Sequence, residues 1–97
     1  MRHFFRTQLP PDDVMAEADA FFPTIAMTTS GKAARERTFV GSLGTFTLRV
    51  RPEGGHYTFV QADTDQMGES RLDRNVKKFF VRLHRLADPN HRLTAAF

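Results

Sequence analysis

Residues 45–51 read TFTLRVR, in which polar and apolar side chains alternate at every second position. The apolar positions are Phe46, Leu48 and Val50, and threonines and arginines lie between and beside them. Successive side chains of a β-strand point to opposite faces of its sheet, so this segment is typical of a strand with one buried and one solvated face. It predicts an antiparallel sheet that is covered on one side.

Four further segments are predicted to be strands of the same sheet. The predicted strands span residues 2–9, 24–29, 34–40, 45–51 and 56–63. Glycine-containing segments at residues 30–31, 41–44 and 52–55 supply the positive φ angles that hairpin turns need. Because connections this short join antiparallel neighbours, the last four of these strands are expected to form a meander.

Two helices are predicted, at residues 11–22 and 67–87. Pro11 suits the opening position of the first helix, and Pro23 ends that helix. The second helix carries an apolar stripe along one side, has Ser70 as a candidate N-cap within it, and is ended by residues 88–90. It is the only predicted element large enough to cover the sheet.

The resulting element order is β-α-β-β-β-β-α, which predicts an α+β fold. We expect a single antiparallel sheet with the long C-terminal helix packed on one of its faces. This order resembles the TATA-binding-protein repeat and the related helix-grip folds over most of the chain. The resemblance lies in the order of elements and not in a sequence motif, so it implies an architecture and no activity.

Composition indicates one globular domain spanning residues 1–97, because 40% of the residues are hydrophobic and 26% are charged. The absence of cysteine excludes disulfides and thiolate metal sites. Four histidines are present, and no two of them share a predicted element at metal-ligand spacing. We therefore predict neither a metal nor a cofactor.

The chain also has no feature of a secreted or membrane-inserted protein. No apolar run approaches the roughly 18 residues that a spanning helix needs. The N-terminus reaches charged residues and prolines before a signal-peptide core could form. We expect a cytoplasmic protein with no membrane span.

Catalytic motifs are not evident. Ser30, Ser42 and Ser70 all lie outside any nucleophile-elbow pattern. An enzyme with a small pocket between sheet and helix is the third hypothesis, and its candidate residues are His56 beside Tyr57 and Asp63 at a strand end. It requires a group with a shifted pKa in an enclosed pocket.

The leading hypothesis is a non-catalytic binding or assembly domain that forms a homodimer through its sheet faces or edges. Ten phenylalanines and no tryptophan indicate a core built from Phe rings. A ligand of such a domain is expected in a Phe-lined space between sheet and long helix, although core packing is the alternative role of the same residues. The residues of this space are Phe46, Leu48, Phe59, Phe79 and Leu83.

The alternative hypothesis is nucleic-acid binding, or binding to another acidic partner. The net charge is +3, and the basic residues of the second helix repeat at i, i+3, i+7, i+11 and i+14, which places them in one stripe. A solvated helix face is the other interpretation of this stripe. A second predicted surface for nucleic-acid binding is an open sheet that carries Arg49 and Arg51 beside aromatic residues. The stripe consists of Arg71, Arg74, Lys78, Arg82 and Arg85.

Overall fold

Five strands form one antiparallel sheet in the computed structural model, which describes residues 1–88. The sheet order is β1-β5-β4-β3-β2, and the α+β class with a single antiparallel sheet is confirmed. Residues 89–97, which the single-domain prediction includes, lie outside the described residues, as does most of the predicted stop at 88–90. The elements are β1 Arg2–Thr7, α1 Pro11–Phe21, a 3-10 turn Phe22–Ile25, β2 Thr28–Ala33, β3 Glu36–Gly41, β4 Gly44–Glu53, β5 Tyr57–Thr64 and α2 Arg71–Ala87.

The core lies between one face of the sheet and both helices. Phe22 is fully buried, and its ring centroid lies 4.5 Å from that of Phe46, 5.0 Å from Phe39 and 5.1 Å from Phe79. The 3-10 turn therefore helps to cover β3 and β4, a role that the sequence prediction gave to the long helix alone. Truncating a buried Phe to Ala typically lowers the free energy of unfolding by about 3 to 5 kcal/mol.

Helix α2 packs against β1 and β5, where Phe80 stacks on Phe5 with 5.1 Å between ring centroids. The helix begins at Arg71 and not at residue 67, because Ser70 is its N-cap. Glu69 just before the cap has a positive φ of 57°, which is incompatible with a continuing right-handed helix. Neither helix within residues 1–88 has the length and apolarity that a membrane span requires.

The largest difference from the predicted boundaries concerns β2, which was expected at residues 24–29. The 3-10 turn occupies its first positions, since the Thr24 hydroxyl donates to the Phe21 carbonyl and Ala26 ends the turn with a φ of 60°. Residues 30–31 were predicted to form a turn but lie inside β2, where the register with β3 shifts between Thr29 and Gly31. The connecting turn is at residues 34–35, and the bounds of the other strands differ from the prediction by at most two residues.

Candidate binding surfaces on the helix and the sheet

All five cations of the predicted basic stripe are exposed on the outer side of α2. The stripe is divided, however, by a contact with α1. The Nε of Arg82 donates to the Glu17 carboxylate at 2.7 Å, and the Arg82 guanidinium lies 5.9 Å from the centroid of the Phe21 ring. Arg85 is exposed in the last turn of the helix. The three cations of the first two turns are thus separated from the two that follow.

Those three cations line the helix side of a groove of about 510 Å³ between α2 and the β3–β4 turn. We call it the helix groove. Among residues 1–88, no acidic side chain lines it, and Arg71, Arg74 and Lys78 form no ion pair. The full lining consists of Ile25, Ala26, Ser42, Leu43, Arg71, Arg74, Asn75 and Lys78. An anion that enters this groove meets three cations whose charge no acid of the described chain neutralises.

Local geometry fixes both walls of the helix groove. Ser42 and Leu43 form the tight turn between β3 and β4, and Gly44 follows it with a φ of 131°. A Cβ at Gly44 would lie 2.5 Å from Oδ1 of Asp65, so a side chain there is excluded by space as well as by backbone conformation. On the helix wall, the Asn75 amide donates to the Arg71 carbonyl at 2.8 Å.

The start of α2 is closed by its own side chains. Oγ of Ser70 accepts from the Asp73 backbone N–H at 3.0 Å, and the Asp73 carboxylate accepts from the Ser70 backbone N–H at 3.4 Å, which together form a capping box. These bonds occupy amide groups that otherwise attract anions at a helix start. Binding in the helix groove therefore depends on side-chain cations.

A buried carboxylate joins α2 to the sheet next to this groove. Asp73 is fully buried, and its carboxylate accepts from Nε2 of His3 at 2.7 Å, from Oγ of Ser70 at 2.6 Å and from the hydroxyl of Thr64 at 2.9 Å. Burial by itself raises the pKa of Asp73, but these hydrogen bonds outweigh it and lower the pKa to about 2. Since Ser70 contacts Asp73 and not His3, the arrangement lacks a nucleophile–base pair, and its role is to hold β1, β5 and α2 together.

The second surface is the sheet face opposite both helices, which we call the open sheet face. Its cations are largely paired across strands. Asp63 accepts from Arg2 at 2.6 Å and from Arg49 at 3.2 Å, and Arg49 also contacts Glu36 at 2.8 Å. Partial burial raises the pKa of Asp63, but hydrogen bonds from Arg2 and Gln61 and the charges of both arginines lower it below its usual value. The network crosses four strands and neutralises Arg49.

Aromatic side chains interrupt this charged network. Phe59 is only 8% exposed although it lies on the open sheet face, because neighbouring side chains cover it. Arg51 and Arg6 place their guanidinium carbons 4.5 Å and 5.4 Å from its ring centroid, and Phe4, itself 55% exposed, lies 5.4 Å from it. Beside Phe59 is a second concavity of about 510 Å³, the sheet pocket. The sheet pocket is lined by Ala33, Ala34, Arg35, Glu36, Arg49, Val50, Arg51, Phe59 and Gln61.

The residues predicted to line a ligand space are not all brought together. Four of them, Phe46, Leu48, Phe79 and Leu83, belong to the core between sheet and helices, whereas Phe59 lies on the other face of the sheet. Phe22 packs against Phe46 and Phe79, so it occupies part of the volume that the prediction assigned to a ligand. Neighbouring positions of β5 face opposite ways, which separates Phe59 from its predicted partners.

The candidate residues for catalysis are also apart. His56 is exposed in the β4–β5 turn with a φ of 67°, and Asp63 lies near the other end of β5 in the ion-pair network. Seven residues of strand separate them by about 23 Å. Within residues 1–88, no three His, Asp or Glu side chains are grouped so that they could bind a metal ion.

Sequence reasoning missed two features of these surfaces. The sequence does not predict that the β3–β4 turn forms one wall of the helix groove, because this depends on how α2 packs against the rest of the fold. The hydrogen bonds of Asp73 are predictable in part, since Ser70 and Asp73 stand at the spacing of a capping box.

Comparison with known proteins does not assign the chain to a family. It matches no protein-family model, and a search of curated proteins finds no match to its sequence. The distribution of charge and of exposed side chains is therefore the basis on which a function can be proposed.

Proposed function

We propose that this protein is a small non-catalytic binding domain whose ligand is a polyanion of the nucleic-acid class, bound in the helix groove. The observation that carries the proposal is the set of three cations, Arg71, Arg74 and Lys78, around one concave space that no acid lines within residues 1–88. Elsewhere in the described chain, acids pair with Arg2, Arg6, Arg37, Arg49 and Arg82. The helix groove differs from these places because its cations have no acidic partner among the described residues.

Repulsion between the neighbouring cations of the groove destabilises α2, and a bound anion removes this repulsion. Arg74 and Lys78 stand four residues apart, where like charges destabilise a helix by about 0.2 to 0.5 kcal/mol. An acid at either position would stabilise the isolated helix by a similar amount. A bound phosphate supplies the missing negative charge and converts this repulsion into attraction.

The length of the cationic row fits a phosphate backbone. Arg71 and Lys78 are seven residues apart, which corresponds to about 10 Å along a helix. About three phosphates of one nucleic-acid strand, at a rise of about 3.4 Å each, lie along that length. Ile25 and Leu43 line the same groove and offer apolar contacts to sugars or bases.

The test is fluorescence anisotropy with labelled DNA, single-stranded and duplex, as a function of salt. Three neutralised phosphates predict that wild-type affinity between 50 mM and 200 mM salt falls by about 40-fold for duplex DNA and by about 20-fold for single-stranded DNA. The double variant Arg74→Gln/Lys78→Gln is expected to bind at least tenfold more weakly at the lower salt, with a slope about one third as steep.

A matched control separates the helix groove from general basic charge. Lys32→Gln/Arg85→Gln changes the net charge by the same two units at exposed positions outside the groove. It is expected to retain nearly full affinity. Equal losses in the two double variants, or no binding by the wild type at low salt, would contradict the proposal.

Self-association through β1 is the second candidate function. Within residues 1–88, β1 and β2 are the edges of the sheet. The register shift in β2 and the charge of Lys32 hinder the addition of another strand there, whereas β1 pairs with β5 without a shift and exposes Phe4. A homodimer that pairs two β1 strands places the two Phe4 side chains near its twofold axis.

Light scattering over a range of protein concentrations tests this second candidate. Phe4→Lys introduces like charges near the axis and is expected to give a monomer, while Tyr57→Lys at the start of β5 leaves the mass of the wild-type dimer unchanged. A wild type that is monomeric at all concentrations, or a Phe4→Lys variant that stays dimeric, would rule out pairing through β1.

A further inference from the structure

The sheet pocket combines an apolar floor with cations that have no acidic partner among residues 1–88. Its apolar residues include Ala33, Ala34 and the ring of Phe59. Of its three arginines, Arg49 is paired with two acids, but Arg35 and Arg51 form no ion pair in the described chain. Glu36, the one acid in the lining, is the partner of Arg49.

The contact between Arg51 and Phe59 makes this pocket suited to a flat ligand. The guanidinium carbon of Arg51 lies 4.5 Å from the centroid of the Phe59 ring, which is a stacking distance. A guanidinium stacked on one ring leaves its other planar face open, and aromatic bases commonly stack on such faces. Small side chains at Ala33 and Ala34 leave room for a ring at this place.

Arg35 indicates that the ligand carries a negatively charged group. This residue stands in the β2–β3 turn at the rim of the same pocket, and guanidinium groups bind carboxylates and phosphates through paired hydrogen bonds. The lining contains three cations and one acid, so it favours a negatively charged ligand. A volume of about 510 Å³ falls in the range of small-molecule sites.

We propose that the sheet pocket binds a small planar aromatic anion, with its ring stacked on the guanidinium of Arg51 and its carboxylate or phosphate held by Arg35. This site lies on the opposite side of the sheet from α2. It stands independently of polyanion binding in the helix groove, because it uses none of the same residues.

Titration followed by two-dimensional amide NMR tests the proposal with adenosine monophosphate and 2-naphthoate as probes, which carry phosphate and carboxylate respectively. Adenosine and inorganic phosphate serve as the ring without charge and the charge without ring. We expect at least one probe to shift the amides of residues 33–35 and 59–61 and to bind at least tenfold more tightly than adenosine and inorganic phosphate.

Single substitutions test whether Arg51 and Arg35 bind the probe. Arg51→Gln and Arg35→Gln are each expected to weaken the better probe at least tenfold, and Arg85→Gln, at the far end of α2, to leave it unchanged. Circular dichroism is the control for the fold of each variant, and Arg35 stands in an exposed turn, where substitution is expected to be tolerated. The proposal is overturned if neither probe binds at millimolar concentration, if the shifts map to the helix groove, or if both arginine variants bind like the wild type.

Discussion

The open sheet face and the helix groove both carry arginines, yet among residues 1–88 most cations of the sheet face have acidic partners and those of the helix groove have none. On the sheet, antiparallel register places Glu36 directly opposite Arg49 and Asp63 directly opposite Arg2, so cation and acid meet across strands. On α2, the cations at i, i+3 and i+7 have one another as neighbours. The number of cations on a surface therefore says less about binding than the partners that the fold gives them.

The largest expected contrast in stability lies between two aspartates, the buried Asp73 of α2 and Asp63 of the open sheet face. Asp73→Asn is expected to lower the free energy of unfolding by about 3 kcal/mol, because it removes a buried charge on which three side-chain donors converge. Asp63→Asn, on the open sheet face, is expected to lower it by less than about 1 kcal/mol. Urea denaturation followed by circular dichroism measures both, and equal losses would show that the Asp73 network does not anchor α2.

Acid should weaken the protein through the same buried residue. The pKa of Asp73 is about 2 in the folded protein against 3.8 as its ordinary value, so its contribution is fully present above about pH 4 and is lost as the pH falls towards 2. The loss amounts to about 2 kcal/mol. Urea denaturation at a series of pH values measures this loss. The free energy of unfolding of the Asp73→Asn variant should depend correspondingly less on pH, whereas the Asp63→Asn variant should retain most of the pH dependence of the wild type.

Removing an acid from the open sheet face should make it resemble the helix groove. Asp63→Asn releases Arg2 and Arg49 from a shared partner. In the Arg74→Gln/Lys78→Gln background, we expect this change to raise DNA affinity at low salt by about fivefold, or roughly 1 kcal/mol. Anisotropy against the same background without Asp63→Asn is the comparison. No gain would mean that geometry, and not pairing, keeps the sheet arginines from binding.

The smallest effect is expected at the other ion pair of the open sheet face. Glu53→Gln breaks its contact with Arg6, which is 2.9 Å long and involves a side chain that is 62% exposed. Exposed pairs of this kind contribute about 0.2 to 1 kcal/mol. A change of the unfolding free energy below about 0.5 kcal/mol, measured in urea, would agree with this, and a larger loss would indicate that the pair holds Phe59 in place.

The sequence predicts the architecture where periodicity is local. Phe46, Leu48 and Val50 point to one face of β4 as expected, and all three are buried. The errors arise where one residue type has two structural uses. Gly31 indicates a turn, but it serves a shift of register within β2, and Phe22 continues the apolar pattern of α1 but belongs to the 3-10 turn that covers the sheet.

The candidate surfaces are predictable only in part, for a related reason. The spacing of Arg71, Arg74 and Lys78 on one side of a helix follows from the helical period alone. That Arg82 is neutralised by Glu17 does not, because the two residues are 65 positions apart and meet only after α1 and α2 have packed. Likewise, Arg51 was predicted to have aromatic neighbours, but its stacking on Phe59 depends on the register of β4 with β5.

Tyr57 gives the molecule a natural optical reporter at one place. It is the single tyrosine of a chain without tryptophan, and it is 43% exposed at the start of β5. The length of β4, about 30 Å, separates this end of the sheet from the turn that lines the helix groove. Its fluorescence should therefore stay constant while DNA occupies the groove.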